Sequence, residues 1–293
     1  MKETSWVKIL GLVTLTIIVS FTTVKLSGSQ SSSPAENSVY DQVLKSGTIR
    51  SCYVVYPPDS IKDPNSGKLS GVFVDTLEKT AENMGLKVSW NAEVGWGELI
   101  EALNTNRCDV VGSGIWSNSA RGKSSEFTQP VFYSAINAYV RADDHRFDSD
   151  LKVVDNGAYK IATIDGETAQ LIAQRQFPNA QTVQLPQLTD VSQMLLNVAN
   201  GKADMAFIEP TVANAYMQNN PGEIRQAAAK PVAVYGNVML VKKGEFELKS
   251  SLDNAINELL GNGYIDDVLD RYEKDYPGGF YRVALPYVIS SSK

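Results

Sequence analysis

The sequence predicts an α/β fold of two lobes, each a mostly parallel sheet flanked by helices, joined through a hinge of two short segments. Three observations carry that prediction. From residue 45 onward, short apolar runs alternate with stretches of helical spacing, the order expected of parallel sheets. The succession strand, helix, strand, helix, strand occurs twice. And 293 residues, 43% hydrophobic and 20% charged, make a globular chain long enough for two domains.

In the first unit Thr48 to Val55 reads as a strand stopped by Pro57 and Pro58, and Asn65, Ser66 and Gly67 as a turn. Leu77, Ala81 and Met84 recur at helical spacing, with Gly85 as the C′ residue. Leu86, Val88 and Trp90 alternate as a strand. Leu99, Ile100 and Leu103 mark a second helix, and Asp109 to Ile115 a buried strand. The second unit runs from the strand Tyr159 to Ile164, through the helix Thr168 to Gln176, to the strand Thr182 to Leu185. Val191, Met194, Leu195 and Val198 follow at i, i+3, i+4 and i+7, then the strand Ala203 to Ile208. Pro210 suits the first turn of the next helix. Connections are expected around Tyr139 to Ala142 and Tyr235 to Val238. Leu252 to Tyr272 reads as two amphipathic helices broken at Gly261 and Gly263, packing back on the first unit. The expected division is therefore a first lobe over 40–140 and 238–285 and a second over 141–237.

Ahead of these lobes, Ile9 to Val24 carries no charge and follows Lys2 and Lys8. It falls between the length of a signal-peptide core and that of a membrane span. Small residues at Ser27, Gly28 and Ser29 would allow cleavage, so residues 1–29 are expected to be an export signal or a retained anchor. Residues 30–39 are polar and Ser-rich, the composition of a flexible linker. The expected location is periplasmic or extracellular.

Charge and rare residues exclude several functions. With 27 basic and 33 acidic side chains the net charge is −6, unfavourable for binding nucleic acid. One His and two Cys cannot build a zinc-thiolate cage or a two-imidazole site, so no metal and no cofactor is expected. Outside the cytosol Cys52 and Cys108 could pair, and two buried thiols fit the sequence as well.

Several segments resemble the periplasmic solute-binding proteins of the polar amino acid type. These are Leu44 to Arg50, the turn Gly67 to Asp75, Asp109 to Ser113, Arg121, Phe127 to Pro130, Asp165 to Thr168, and Ala203 to Glu209. The resemblance spans about residues 40 to 276. It implies the two-lobed periplasmic-binding-protein fold. It also implies a function: capture of a polar or charged amino acid by hinge closure and delivery to an ABC transporter permease, without catalysis, by a monomer. Arg121 stands where the family grips the ligand's α-carboxylate, and a guanidinium fork suits a carboxylate. Thr168 and the chain around Glu167 lie at a helix start, where N–H groups favour an anion. Ser113 and Gly114 match positions that contact the ligand at a strand end. Glu209 stands where the family usually has an Asp pairing with the α-ammonium. Tyr53, Tyr56 and Trp116 would line the pocket, Tyr56 stacking on the ligand. Three departures stand out: Glu209 for Asp, Trp116 for a small hydroxyl residue, and Asp59 where Phe is expected after Pro57 and Pro58.

Two other functions fit the scaffold. One is an enzyme resembling the cyclohexadienyl or arogenate dehydratases, but its relatives carry a Glu shortly after the Glu209 position, and Pro210 to Asn214 has no acid. His145 has no evident catalytic partner, and no nucleophile-elbow motif is present. The other is a ligand-sensing subunit that docks to another protein.

Overall fold

The computed structural model describes residues 38–284 and 286, and the leader and most of the linker lie outside them. Val39 onward forms one unit, and its elements follow the expected alternation. In the first part, α1 (Val39–Ser46) leads into β1 (Thr48–Tyr53), and a small hairpin of β2 (Ile61–Lys62) and β3 (Leu69–Ser70) follows. Next come α2 (Val72–Asn83), β4 (Lys87–Glu93), α3 (Leu99–Asn104) and β5 (Val110–Trp116). A short helix, α4 (Ser119–Gly122), and β6 (Ser125–Phe127) lead to β7 (Phe132–Arg141). The second part holds β8 (Lys160–Ile164), α5 (Thr168–Gln176), β9 (Gln181–Leu185), α6 (Ser192–Ala199), β10 (Met205–Ile208), α7 (Pro210–Asn219) and β11 (Ile224–Gln226). The chain returns through β12 (Ala233–Lys242) and ends in α8 (Phe246–Gly261) and α9 (Tyr264–Glu273).

Strand order along the main path is β4-β1-β5-β12-β7-β10-β8-β9. β1 pairs in parallel with β4 and β5, and β8 in parallel with β9 and β10. The two expected connections prove to be parts of longer elements. β7 and β12 are each ten residues long and pair antiparallel from Phe132–Asn237 to Ile136–Ala233. Beyond that shared stretch β7 continues into the second half, against β10 and β11, while β12 continues into the first, against β5 and β6. The halves are thus joined by a two-stranded antiparallel ribbon. A longer run of ladder hydrogen bonds takes in the short connections read from sequence, and Phe132 to Val140 is buried at every position except Tyr133.

Smaller differences have local causes. The strand expected to reach Val55 ends at Tyr53, because Pro57 and Pro58 begin a tight loop in which Tyr56 and Ser60 exchange backbone hydrogen bonds. The helix expected from Leu252 begins at Phe246, its early turns solvated on one face and anchored by buried Leu248 on the other.

Cys52, on β1, and Cys108, just before β5, are joined as a disulfide with Cα atoms 5.6 Å apart. The sequence left this open; parallel pairing of β1 with β5 brings the two chains side by side. The bridge spans 56 residues of sequence and so restricts the unfolded chain. Replacing both cysteines by alanine is expected to lower the unfolding free energy by about 2–4 kcal/mol, read from urea denaturation under non-reducing conditions. Coincident curves would contradict the bridge.

Candidate functional site

Four segments of the first half and three of the second meet beside the β7–β12 ribbon. The loop after β1 carries Tyr56 and Asp59. It is held rigidly: Val72 N–H donates to Pro58 O and Phe73 N–H to Asp59 O, each at 3.0 Å. Ser113 on β5 closes the same loop, accepting from Val54 N–H at 2.9 Å and lying 3.0 Å from the Ser60 hydroxyl. Ser113 is therefore spent on the protein's own loop, not offered outward as expected. Gly114 serves the same loop. A Cβ there would fall 1.6 Å from Asp59 Oδ2, so the close approach that its small size permits is that of Asp59.

Arg121 sits in α4, whose start is capped by the Asn118 side chain accepting from Ala120 and Arg121 N–H. Its guanidinium lies 5.8 Å from the Trp96 ring and reaches the second half, donating to Thr168 Oγ1 at 3.0 Å and Gly166 O at 2.9 Å. Burial lowers its pKa, opposed by the charge of Glu167. Thr168 is thus brought to Arg121 as the sequence suggested. The helix start it belongs to is already occupied, however. Glu167 caps α5 by accepting from Ala169 N–H at 2.6 Å, and Gly166 N–H donates to Gln170 Oε1 at 3.0 Å. Further links cross between the halves: Gly97 N–H to Gln187 Oε1 at 2.9 Å and Arg175 to Ser119 Oγ at 3.4 Å. Backbones touch as well, since a Cβ on Gly166, whose φ is +76°, would lie 2.5 Å from Gly97 N.

Glu209, at the end of β10, is 3% exposed. Its Oε1 accepts from Trp116 Nε1 at 2.7 Å and from the Ser134 hydroxyl at 2.6 Å. Asn237 Nδ2 in turn donates to Ser134 Oγ at 2.9 Å, so both ribbon strands support Glu209. Trp116 stacks on Tyr235 with ring centres 5.8 Å apart, and Tyr56 meets Trp96 and Trp116 edge to face at 5.7 and 6.4 Å. Trp116, a departure from the resemblance, thereby becomes a donor across the cleft. Tyr53 does not join this group. Its ring packs on Trp90 at 6.1 Å, beside α2, because alternation along β1 turns it away from the Cys52 face.

Asp59, Glu167 and Glu209 are each at most 4% exposed and share the site with one guanidinium. Burial raises all three carboxyl pKa values, and the charge of Glu209 raises Asp59 further. Glu167 is pushed up to about 7, against the lowering effects of Ala169 N–H and Arg121. Asp59 Oδ2 is buried with no hydrogen-bond partner among the described residues, and burial and the neighbouring Glu209 raise the Tyr56 pKa. Residue-type patterns in the sequence marked neither Asp59 as a cleft residue nor Trp96, Ser134 and Asn237; the only signal was Asp59 standing in place of Phe. Among the described residues no group of His, Cys, Asp and Glu could hold a metal ion, and no helix is long and apolar enough to cross a membrane.

Two sheet halves on a two-stranded ribbon, with a buried guanidinium and buried carboxyls where they meet, have the architecture of a two-lobed binding protein. The chain belongs to the family described as bacterial extracellular solute-binding proteins, family 3, whose profile matches residues 49–275. It is 23% identical over 263 residues to a probable histidine-binding protein of Campylobacter jejuni, covering 87% of this chain and 96% of that one. The substrate-binding protein of an amino acid ABC transporter superposes with a TM-score of 0.66 at 27% identity, over 78% of this chain and 99% of that one. An ancestral amino acid-binding protein, described as a precursor of cyclohexadienyl dehydratase, gives a TM-score of 0.70 at 23% identity, over 80% and 99%.

The raised carboxyl of Glu167 has a consequence for stability. With a folded-state pKa of about 7 against an ordinary 4.5, the folded protein holds this proton through that interval. Its contribution is complete below 4.5 and lost as pH rises through 7, on the order of 3 kcal/mol. Thermal melting is expected to occur at lower temperature at pH 8 than at pH 5, and Glu167→Gln, which keeps the helix cap, should flatten the profile. A profile unaltered by the substitution would contradict the assignment.

Proposed function

We propose that this protein captures a free amino acid between its two halves and presents it to an ABC transporter permease. What supports this reading is that Arg121 of the first half donates to Thr168 and Gly166 of the second, while Glu209 of the second accepts from Trp116 of the first. An α-carboxylate and an α-ammonium need one fixed cation and one fixed anion within one closing cleft. Thr168, with the hydroxyl that already meets Arg121, would share the carboxylate. The Tyr56, Trp96 and Trp116 rings would enclose the side chain. A solute touching both halves favours the state in which they meet, which is the whole of the mechanism. The bodies that close are, on this reading, 40–140 with 238–285 and 141–237.

Capture without chemistry is part of the proposal. Pro210 to Asn214 supplies no acid, and His145 is exposed, 2.8 Å from Asp148 Oδ2, in no arrangement with a nucleophile. On this reading the protein acts as a monomer outside the cytoplasm, either free or tethered by residues 1–29, a location that the family's description as extracellular and the apolar run Ile9 to Val24 support.

A thermal-shift screen of amino acids, polyamines and small organic acids would identify the ligand. Arg121→Ala is then expected to weaken its binding by well over ten-fold in isothermal titration, since a charged hydrogen bond contributes about 1.5–3 kcal/mol. Unchanged affinity would overturn the site. Glu209 is tested by the ligand's deaminated analogue, which should bind at least ten-fold more weakly; equal affinity would remove its amine-pairing role.

A further inference from the structure

We propose that Asp59 is a specificity-determining residue that receives a second positive charge of the ligand, so that the cleft selects amino acids with a cationic side chain. The inference rests on the amino-acid-binding reading and extends it to the class of amino acid.

Charge balance is the first argument. Asp59, Glu167 and Glu209 are buried in one site with Arg121. Glu167 has the Ala169 N–H and the neighbouring guanidinium, and Glu209 has the Trp116 and Ser134 donors. Asp59 has no such donor: its Oδ2 is buried without a partner. A zwitterionic amino acid brings one positive and one negative charge and leaves that imbalance unchanged. A further ammonium or guanidinium lessens that imbalance and brings Asp59 the donors it lacks, removing the cost of a buried unpaired carboxyl.

The second argument is preorganisation. Asp59 is not a surface side chain folded inward by chance. Its backbone carbonyl is held by Phe73 N–H, its loop is closed by Tyr56 and Ser60 and braced by Ser113. Gly114 leaves the space its carboxylate fills, which any side chain there would take. A carboxylate fixed in this way loses little freedom on meeting a cation. The rings of Tyr56 and Trp96 on the same side also offer faces suited to a cation, as Arg121 over Trp96 already illustrates. Because Asp59 belongs to the first half and Glu209 to the second, a ligand with two cationic groups bridges the halves at both. Selectivity and closure would then share one interaction.

Matched pairs provide the test: arginine against citrulline, and lysine against norleucine, titrated into wild type, Asp59→Asn and Arg121→Ala. Wild type is expected to bind at least one cationic member 100-fold or more tightly than its neutral partner. Asp59→Asn should lose at least ten-fold for that ligand while binding the neutral partner as well as or better than wild type. Wild type binding neutral members equally well or more tightly would overturn the inference without any variant, so a folding defect in Asp59→Asn cannot mask the result. Preference unchanged in a folded Asp59→Asn would overturn it too. In both cases, loss of binding in Arg121→Ala would leave the amino-acid-binding reading standing. Failure of every amino acid to bind wild type would overturn both.

Discussion

Burial of three carboxyl groups beside a single guanidinium is the constraint on which the rest of this structure turns. Asp59, Glu167 and Glu209 each lie under 5% exposed, and taking charge out of water is costly unless partners replace the water. The protein meets part of that demand itself, with the Ala169 N–H on Glu167 and the Trp116 and Ser134 donors on Glu209. Protons meet another part, and this is why burial raises these pKa values. What remains is Asp59 Oδ2, buried without a hydrogen-bond partner among the described residues.

The scaffold explains how such a cluster can be buried. Each half has its own apolar layer, Leu77, Val110 and Leu252 in the first and Ile161, Ile172 and Phe207 in the second. The polar groups therefore need not hold either half together. They lie where the halves meet, beside a ribbon of ten-residue strands that passes from one half to the other. Ser134 and Asn237 lie on that ribbon and reach Glu209 in sequence. The ribbon and Glu209 are thus one hydrogen-bonded unit, so a change at Glu209 acts directly on both ribbon strands.

Much of the fold was legible because local periodicity is governed by the element itself. Helix Thr168–Gln176 has the bounds its spacing indicates, and Pro210 opens its helix. The ribbon was less legible. Pairing between Phe132–Ile136 and Ala233–Asn237 joins residues about a hundred apart, and no local pattern specifies such a partner. The site divides along the same line. Arg121, Thr168, Glu167 and Glu209, named from motifs, lie near one another. Tyr53 faces away because strand alternation, not chain proximity, decides its side, and Ser113 and Gly114 serve a loop whose return to β5 is not written locally.

The sequence by itself determined the α/β class, the repeated strand-helix order, the family and most of the charged groups at the cleft, because these depend on residue type and short-range spacing. Only the tertiary structure decided which of those groups meet, and that Asp59, a mere irregularity in a motif, is a buried carboxylate in their midst. It also joined Cys52 to Cys108 and gave Trp116 a partner in Glu209. The physical reason is common to all three. Burial and partnership are properties of space around a side chain, and that space is made by segments far apart in the chain.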